Sequence, residues 1–128
     1  MNKVTLSIVI PTYNERDNIS IILEKLKKTL KSISYEVIFV DDNSPDGTSR
    51  EIKNFMEKTS KVTLIHRIGR RGLAGAIIEG IFAANADFVA VMDCDLQHDE
   101  TKLLDMINHF SKDTSLDIVI GSRFIGTG

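Results

Sequence analysis

The sequence predicts an α/β domain, a mostly parallel sheet flanked by helices, and two observations predict it. Short β-branched runs alternate along the chain with helical stripes, and four of the five runs end in polar clusters. Strands alternating with helices give a parallel sheet covered on both faces. The near-continuous apolar runs at 37–40 and 88–92 fit strands buried on both sides.

Each element follows in order. Residues 5–11 read as the first strand, ending at Pro11. Its apolar run is too short for a signal peptide. Ile19, Ile22, Leu23, Leu26 and Leu30 then recur at helical spacing. A second strand covers 36–41. A weaker helix over 48–59 has Ile52, Phe55 and Met56 as its apolar face, with Thr48 and Glu51 spaced as a capping box. A third strand at 62–66 precedes the stripe Leu73, Ala76, Ile77, Gly80, Ile81 and Ala84. The fourth strand spans 88–93. Asp99 reads as an N-cap for a shorter stripe of Leu103, Leu104, Ile107 and Phe110, and 117–121 reads as a fifth strand.

Composition bounds the partners. The 128 residues fit one domain, 1–128, with no linker or repeat. The formal net charge of −2 argues against a nucleic-acid binder, which is normally basic. A single cysteine, Cys94, rules out an internal disulfide. No apolar stretch approaches the roughly 20 residues of a membrane helix, so the chain reads as soluble.

In open α/β sheets, ligands bind beyond the carboxyl ends of the strands. Here those ends carry Pro11-Thr12-Tyr13-Asn14-Glu15, Asp41-Asp42-Asn43-Ser44, His66-Arg67 with Arg70-Arg71-Gly72, and Asp93-Cys94-Asp95-Leu96-Gln97. Carboxylates facing arginines suit an anionic ligand that brings a divalent metal. In an extended segment Asp93 and Asp95 point the same way, Cys94 points away as a packed residue, and Gln97 follows as a third oxygen donor. Two carboxylates this close repel unless a cation such as Mg²⁺ or Mn²⁺ relieves them. The competing explanation is a strand-ending Asp that caps the next helix. Asp41 and Asp42 pose the same choice: turn chemistry, or one carboxylate accepting from a base or ribose. Arg67, Arg70 and Arg71 with Gly72-Leu73-Ala74-Gly75 precede a helix start that attracts phosphate; the bland alternative is a solvated loop. Tyr13 either stacks on a base or half-buries against the first helix.

The motifs Ser7-Ile-Val-Ile-Pro-Thr-Tyr-Asn-Glu15, Val40-Asp-Asp-Asn-Ser-Pro-Asp-Gly-Thr48, Gly72-Leu-Ala, Met92-Asp-Cys-Asp-Leu-Gln97 and Gly121-Ser-Arg-Phe124 together resemble family-2 glycosyltransferases of the GT-A fold. Within that family the pattern is similar to dolichol-phosphate mannosyltransferases. Five motifs in order are more specific than any one alone. The resemblance implies an inverting, metal-dependent transferase that moves a hexose, with GDP-mannose favoured over UDP-sugars, to a polyprenyl phosphate. It implies that Pro11, Tyr13, Asn14 and Glu15 bind the nucleoside, with Asp41 or Asp42 on the base or ribose. Arg67, Arg70, Gly72 and Leu73 would lie near the nucleotide, with Asp93 on the donor as well. Asp93, Asp95 and Gln97 would hold Mg²⁺ or Mn²⁺, and Arg123 would meet the acceptor phosphate, making Asp93, Asp95 and Arg123 the catalytic set. It places the full-length protein in the cytoplasm, at the cytosolic face of a membrane, with the acceptor-binding part beyond Gly128. An open sheet edge after Gly121 would favour a homo-oligomer. Two other readings stand beside it. A non-catalytic nucleotide-sugar-binding fragment shares every motif. A signalling receiver shares the length and paired acids, but its acid pair follows the first strand and its lysine the fifth, where this chain has Gly121-Ser122-Arg123.

Overall fold

The computed structural model describes residues 4–94 and 102–112. The predicted strand at 117–121, and with it the sheet edge beyond Gly121, lies outside the described residues. Among the described residues strands and helices alternate through eight elements: β1 (Leu6–Thr12), α1 (Arg16–Thr29), β2 (Tyr35–Asp41), α2 (Thr48–Met56), β3 (Val62–His66), α3 (Leu73–Ala83), β4 (Phe88–Val91) and α4 (Lys102–Lys112). The helix α4, on the stripe that includes Leu103, Leu104 and Ile107, belongs to a separate unit of the chain.

The first four strands form one parallel sheet in the order β3-β2-β1-β4. Right-handed crossovers then dictate the layers. The chain steps from β1 to β2 to β3 in one direction, which puts α1 and α2 on one face. The step from β3 back across to β4 reverses direction and puts α3 on the other. The contacts agree: α3 packs on β1 and β2, while α2 packs on α1, β2 and β3. Under α3 lies a core of Val9, Ile38, Val40 and Ala76, with Ile65, Ala83 and Ala84 against it. Strand alternation aims Ile8, Ile10, Val37 and Phe39 at the opposite face, where the buried stripe Ile19, Ile22 and Leu26 of α1 and Ile52 of α2 complete the core. A receiver-like reading fails here, because that fold orders its strands 2-1-3-4-5.

Three expectations need correction. The capping box at Thr48 and Glu51 does not form. Gly47, at φ 92°, is the N-cap, and the Asp46 carboxylate accepts both the Thr48 N–H (3.0 Å) and its hydroxyl. The helix ends at Met56 rather than 59, and Met56 is exposed, because the chain tightens as the Lys58 and Thr59 N–H groups both turn back to the Phe55 carbonyl. The third concerns β4, which is not buried on both sides. It pairs in register with β1, so Val89 and Val91 share the face of Ser7 and Val9, yet α3 covers β1 and β2 and leaves both valines exposed. Its regular ladder ends at Val91, with one further bond from the Met92 N–H to the Val9 carbonyl, so Asp93 stands beyond the strand.

Candidate functional site

The strand order reverses between β1 and β4, and adjacent connections there run to opposite faces of the sheet. In doubly wound sheets this opens a crevice at the carboxyl edge. The described polar clusters of β1, β2, β3 and β4 all stand at that edge.

Two loops build its floor by stitching to each other. From the β1–α1 turn, the N–H groups of Asn14, Glu15 and Arg16 donate to the Ser44 hydroxyl (2.9 Å), the Thr48 hydroxyl (3.0 Å) and the Asp46 carboxylate (3.3 Å). Asn14 takes a left-handed φ of 56°, and Asn43 one of 54°, a conformation Asn tolerates better than most residues. Asp41 sits under this floor, fully buried. It accepts from the Thr12 hydroxyl (2.7 Å), the Ser44 hydroxyl (2.6 Å) and the Ser44 N–H (2.9 Å). Burial acts to raise the Asp46 carboxyl, but hydrogen bonds from Thr48 and Arg16 outweigh it and hold the group below its ordinary value. Glu15 accepts from the Asn18 side chain at 2.8 Å, and Pro11 is half-buried at the end of β1. The two aspartates part here: Asp41 faces inward, and Asp42 faces the loop after β3.

That loop is organised around Arg67, which is buried. Its Nη1 donates to the Gly72 carbonyl (3.0 Å) and lies 3.1 Å from Asp42 Oδ1, while its Nε lies 2.8 Å from Glu79 Oε2. The two carboxylate contacts are ion pairs off the angle of a hydrogen bond. The Gly72 N–H donates to Asp42 Oδ2 at 2.9 Å. Gly72 is the N-cap of α3 at φ 122°, and Leu73, the first helical residue, is exposed. Arg70 forks onto Glu79 at the surface. Arg71 instead lays its guanidinium over the Tyr13 ring, 4.7 Å from the centroid, and Tyr13 is 45% exposed.

The structure therefore gathers Tyr13, Asn14, Asp42, Arg67, Arg70 and Gly72 into one neighbourhood. Asp93 follows β4 at the same edge, half-buried. Asp95, Gln97 and Arg123 lie outside the described residues, and so does the expectation that Asp93 and Asp95 face one cation. Cys94 is buried, as a packed residue would be. Among the described residues no three acids, cysteines or histidines gather into a metal-holding cluster. The donor chemistry of the predicted set, two carboxylates and an amide oxygen, is nonetheless that of a hard cation site. Sequence reasoning missed Thr12, Ser44 and Glu79. Glu79 had a readable signal: it is the one ionisable residue of an otherwise apolar helix, seven residues after the Gly72 that ends an arginine-rich loop.

The chain is thus a doubly wound α/β sheet that gathers carboxylates, an exposed ring and arginines at its switch point. The chain belongs to glycosyl transferase family 2, whose model matches residues 7–128. It is 38% identical over 126 residues to the dolichol-phosphate mannosyltransferase of Pyrococcus furiosus, covering 96% of this chain and 34% of that protein. It is 32% identical over 135 residues to a dolichyl-phosphate beta-glucosyltransferase of Dictyostelium discoideum, covering 96% of this chain and 41% of that one. The mannosyltransferase PcManGT of Pyrobaculum calidifontis, solved with GDP-Man and Mn²⁺, superposes with a TM-score of 0.72 at 25% identity, over 87% of this chain and 33% of that one. The fold is GT-A, and the chain spans about a third to two-fifths of the length of these relatives. Among the described residues no helix is long and apolar enough to cross a membrane.

Proposed function

We propose that this chain is the nucleotide-sugar-binding part of an inverting hexosyltransferase that moves a sugar, mannose first among the candidates, from a nucleotide diphosphate to a polyprenyl phosphate. The observation that carries the reading is the edge at the β1–β4 switch point, where an exposed ring, a helix N-terminus with close-approach glycines, and arginines stand beside strand-ending carboxylates. Membership of the family, and relatives whose names specify dolichyl-phosphate acceptors and two different sugars, support the class and leave the hexose to experiment.

In this reading the Tyr13 ring stacks on the base, and Pro11, Asn14 and Glu15 shape the nucleoside cleft. In this reading Asp42, rather than the buried Asp41, meets base or ribose. The first turn of α3, from Leu73 onward, offers N–H groups to phosphate, while the Gly72 N–H is already taken by Asp42. Asp93, with Asp95 and Gln97, would hold Mg²⁺ or Mn²⁺, and the ion would neutralise charge on the leaving diphosphate. An oxygen of the acceptor phosphate, approached by Arg123, forms the new bond to the anomeric carbon as the bond to the diphosphate breaks. That oxygen is already anionic, so no side chain need take a proton from it. The acceptor places the whole protein at the cytosolic face of a membrane.

Calorimetric titration of GDP, UDP, GDP-mannose and UDP-glucose, with and without Mn²⁺, tests the reading. Metal-dependent binding of one nucleotide, lost in Asp93→Ala and Asp95→Ala, is the expected result. Binding that ignores the metal and both substitutions sinks the metal assignment; no binding of any nucleotide sinks the donor site on this chain.

A further inference from the structure

The loop between β3 and α3 carries three arginines, and the structure divides them. Arg67 and Arg70 both end on Glu79: Oε2 is 2.8 Å from Arg67 Nε, and Arg70 donates through Nε at 3.1 Å and Nη2 at 2.9 Å. Arg67 continues to Asp42 and to the Gly72 carbonyl, and the Gly72 N–H returns to Asp42. These contacts close a ring through α3, the end of β3, the end of β2 and the loop. Arg71 stays out of it and lies on Tyr13.

We propose that Glu79 is a positioning residue for the nucleotide site: it holds Arg67 and Arg70 so that Arg71 is the cation presented, on the Tyr13 ring, to the bound nucleotide. The proposal rests on the functional reading above and goes beyond it in assigning Glu79 and Arg71. The loop has little else to hold it. Residues 68–72 are all exposed, and Gly69 and Gly72 sit at φ 79° and 122°. Three guanidinium groups within five residues repel one another unless a carboxylate intervenes. The first turn of α3 also fits the arrangement: a Cβ on Gly75 would lie 2.9 Å from Arg67 Nη2, so any larger residue there would push the guanidinium aside. The Arg70 hydrogen bonds hold the Glu79 carboxyl below its ordinary value, so it stays charged through the neutral range.

Two measurements test this on the chain as it stands. Hydrogen exchange reads the loop without ligand: Glu79→Gln is expected to speed exchange at Gly72 and its neighbours about tenfold, as a local opening does. Titration of GDP and UDP with Mn²⁺ reads the site through a double-mutant cycle. Arg71→Ala should weaken the preferred nucleotide about tenfold in the parent chain but less than about threefold beside Glu79→Gln, because Arg71 is then no longer held in place. Glu79 and Arg71 do not touch, so a merely structural Glu79 would give additive losses. Glu79→Asp, which keeps the charge, should recover part of both effects. Unchanged loop exchange overturns the clamp, and additive losses overturn its role at the nucleotide. If the unsubstituted chain binds neither nucleotide, the functional reading itself fails, and that is visible before any variant is made.

Discussion

Gly80→Ala on α3 tests the packing that sets the site's geometry. An ideal Cβ there would lie 2.3 Å from Val9 Cγ1, 3.1 Å from Val9 Cγ2 and 3.2 Å from Val40 Cγ2. Both valines are fully buried and stiff at χ1, so neither can turn away cheaply. Overpacking of this kind costs about 1–3 kcal/mol, and a contact this short belongs at the upper end. Replacing a mid-helix glycine by alanine returns about 1 kcal/mol of helix propensity. The net is a loss of about 2 kcal/mol. With an unfolding entropy of about 2.1 cal/mol/K per residue, that lowers the melting temperature of a 128-residue chain by about 7 °C. Calorimetry or circular-dichroism melting measures it. Val9→Ala alone should cost about 2 kcal/mol as a cavity. In the Gly80→Ala background it should cost almost nothing, because the new methyl occupies the vacated space. A Gly80→Ala chain that melts at or above the parent, or costs that simply add, would refute the close approach of α3 to β1. The same shift would displace the helix start at Gly72, so nucleotide binding should weaken with it.

Other outcomes follow from the same structure. Glu36, at the amino end of β2, accepts from the Ser7 hydroxyl and from both the backbone (2.8 Å) and side chain (3.0 Å) of Asn85, tying the α3–β4 connection to the sheet. Burial acts to raise its carboxyl, but these hydrogen bonds outweigh it and depress the folded value below 4.5, so the stabilisation is whole above that pH and lost as pH falls through the folded value. Glu36→Gln should therefore cost about 2 kcal/mol at pH 7 in urea titration, and the gap to the parent should narrow below pH 4.5. A gap that stays constant with pH would contradict the assignment. Asp41→Ala strips the buried Thr12 hydroxyl and the half-buried Ser44 of their acceptor and should destabilise by about 3 kcal/mol in the same assay; a loss confined to nucleotide affinity would mean that Asp41 serves the ligand directly. Gly47→Ala meets only ordinary contact with Arg16 but must hold φ 92°, so the backbone alone should cost about 1–2 kcal/mol. A neutral Gly47→Ala in chemical denaturation would show that the turn relaxes.

Much of the architecture was legible one element at a time. The stripe of Ile19, Ile22 and Leu26 is buried as its period demands, and 62–66 forms a strand with the predicted bounds. These are local properties: period and β-branching act within a few residues and declare themselves without the rest of the fold. The strand-end clusters were legible for the same reason, since a parallel sheet brings all carboxyl ends to one edge whatever the strand order. What sequence could not decide is which partner each polar group takes. Nothing local distinguishes Asp41 from Asp42, yet one is sealed under Ser44 and the other faces Arg67, because consecutive residues of a strand point to opposite sides and only the neighbouring loops determine which side is filled. The capping box at Thr48 was a sound local pattern, overridden by Asp46 and by the Glu15 N–H, which arrives from 33 residues away. Three arginines in five residues read alike, and only the arrival of Glu79 from α3 separates the two it binds from the one left on Tyr13. Chain-local forces thus determined the elements and their polar edge. The allocation of charges at that edge was decided by the fold, since Coulomb and hydrogen-bond energies depend on distances that exist only after the sheet and helices have packed.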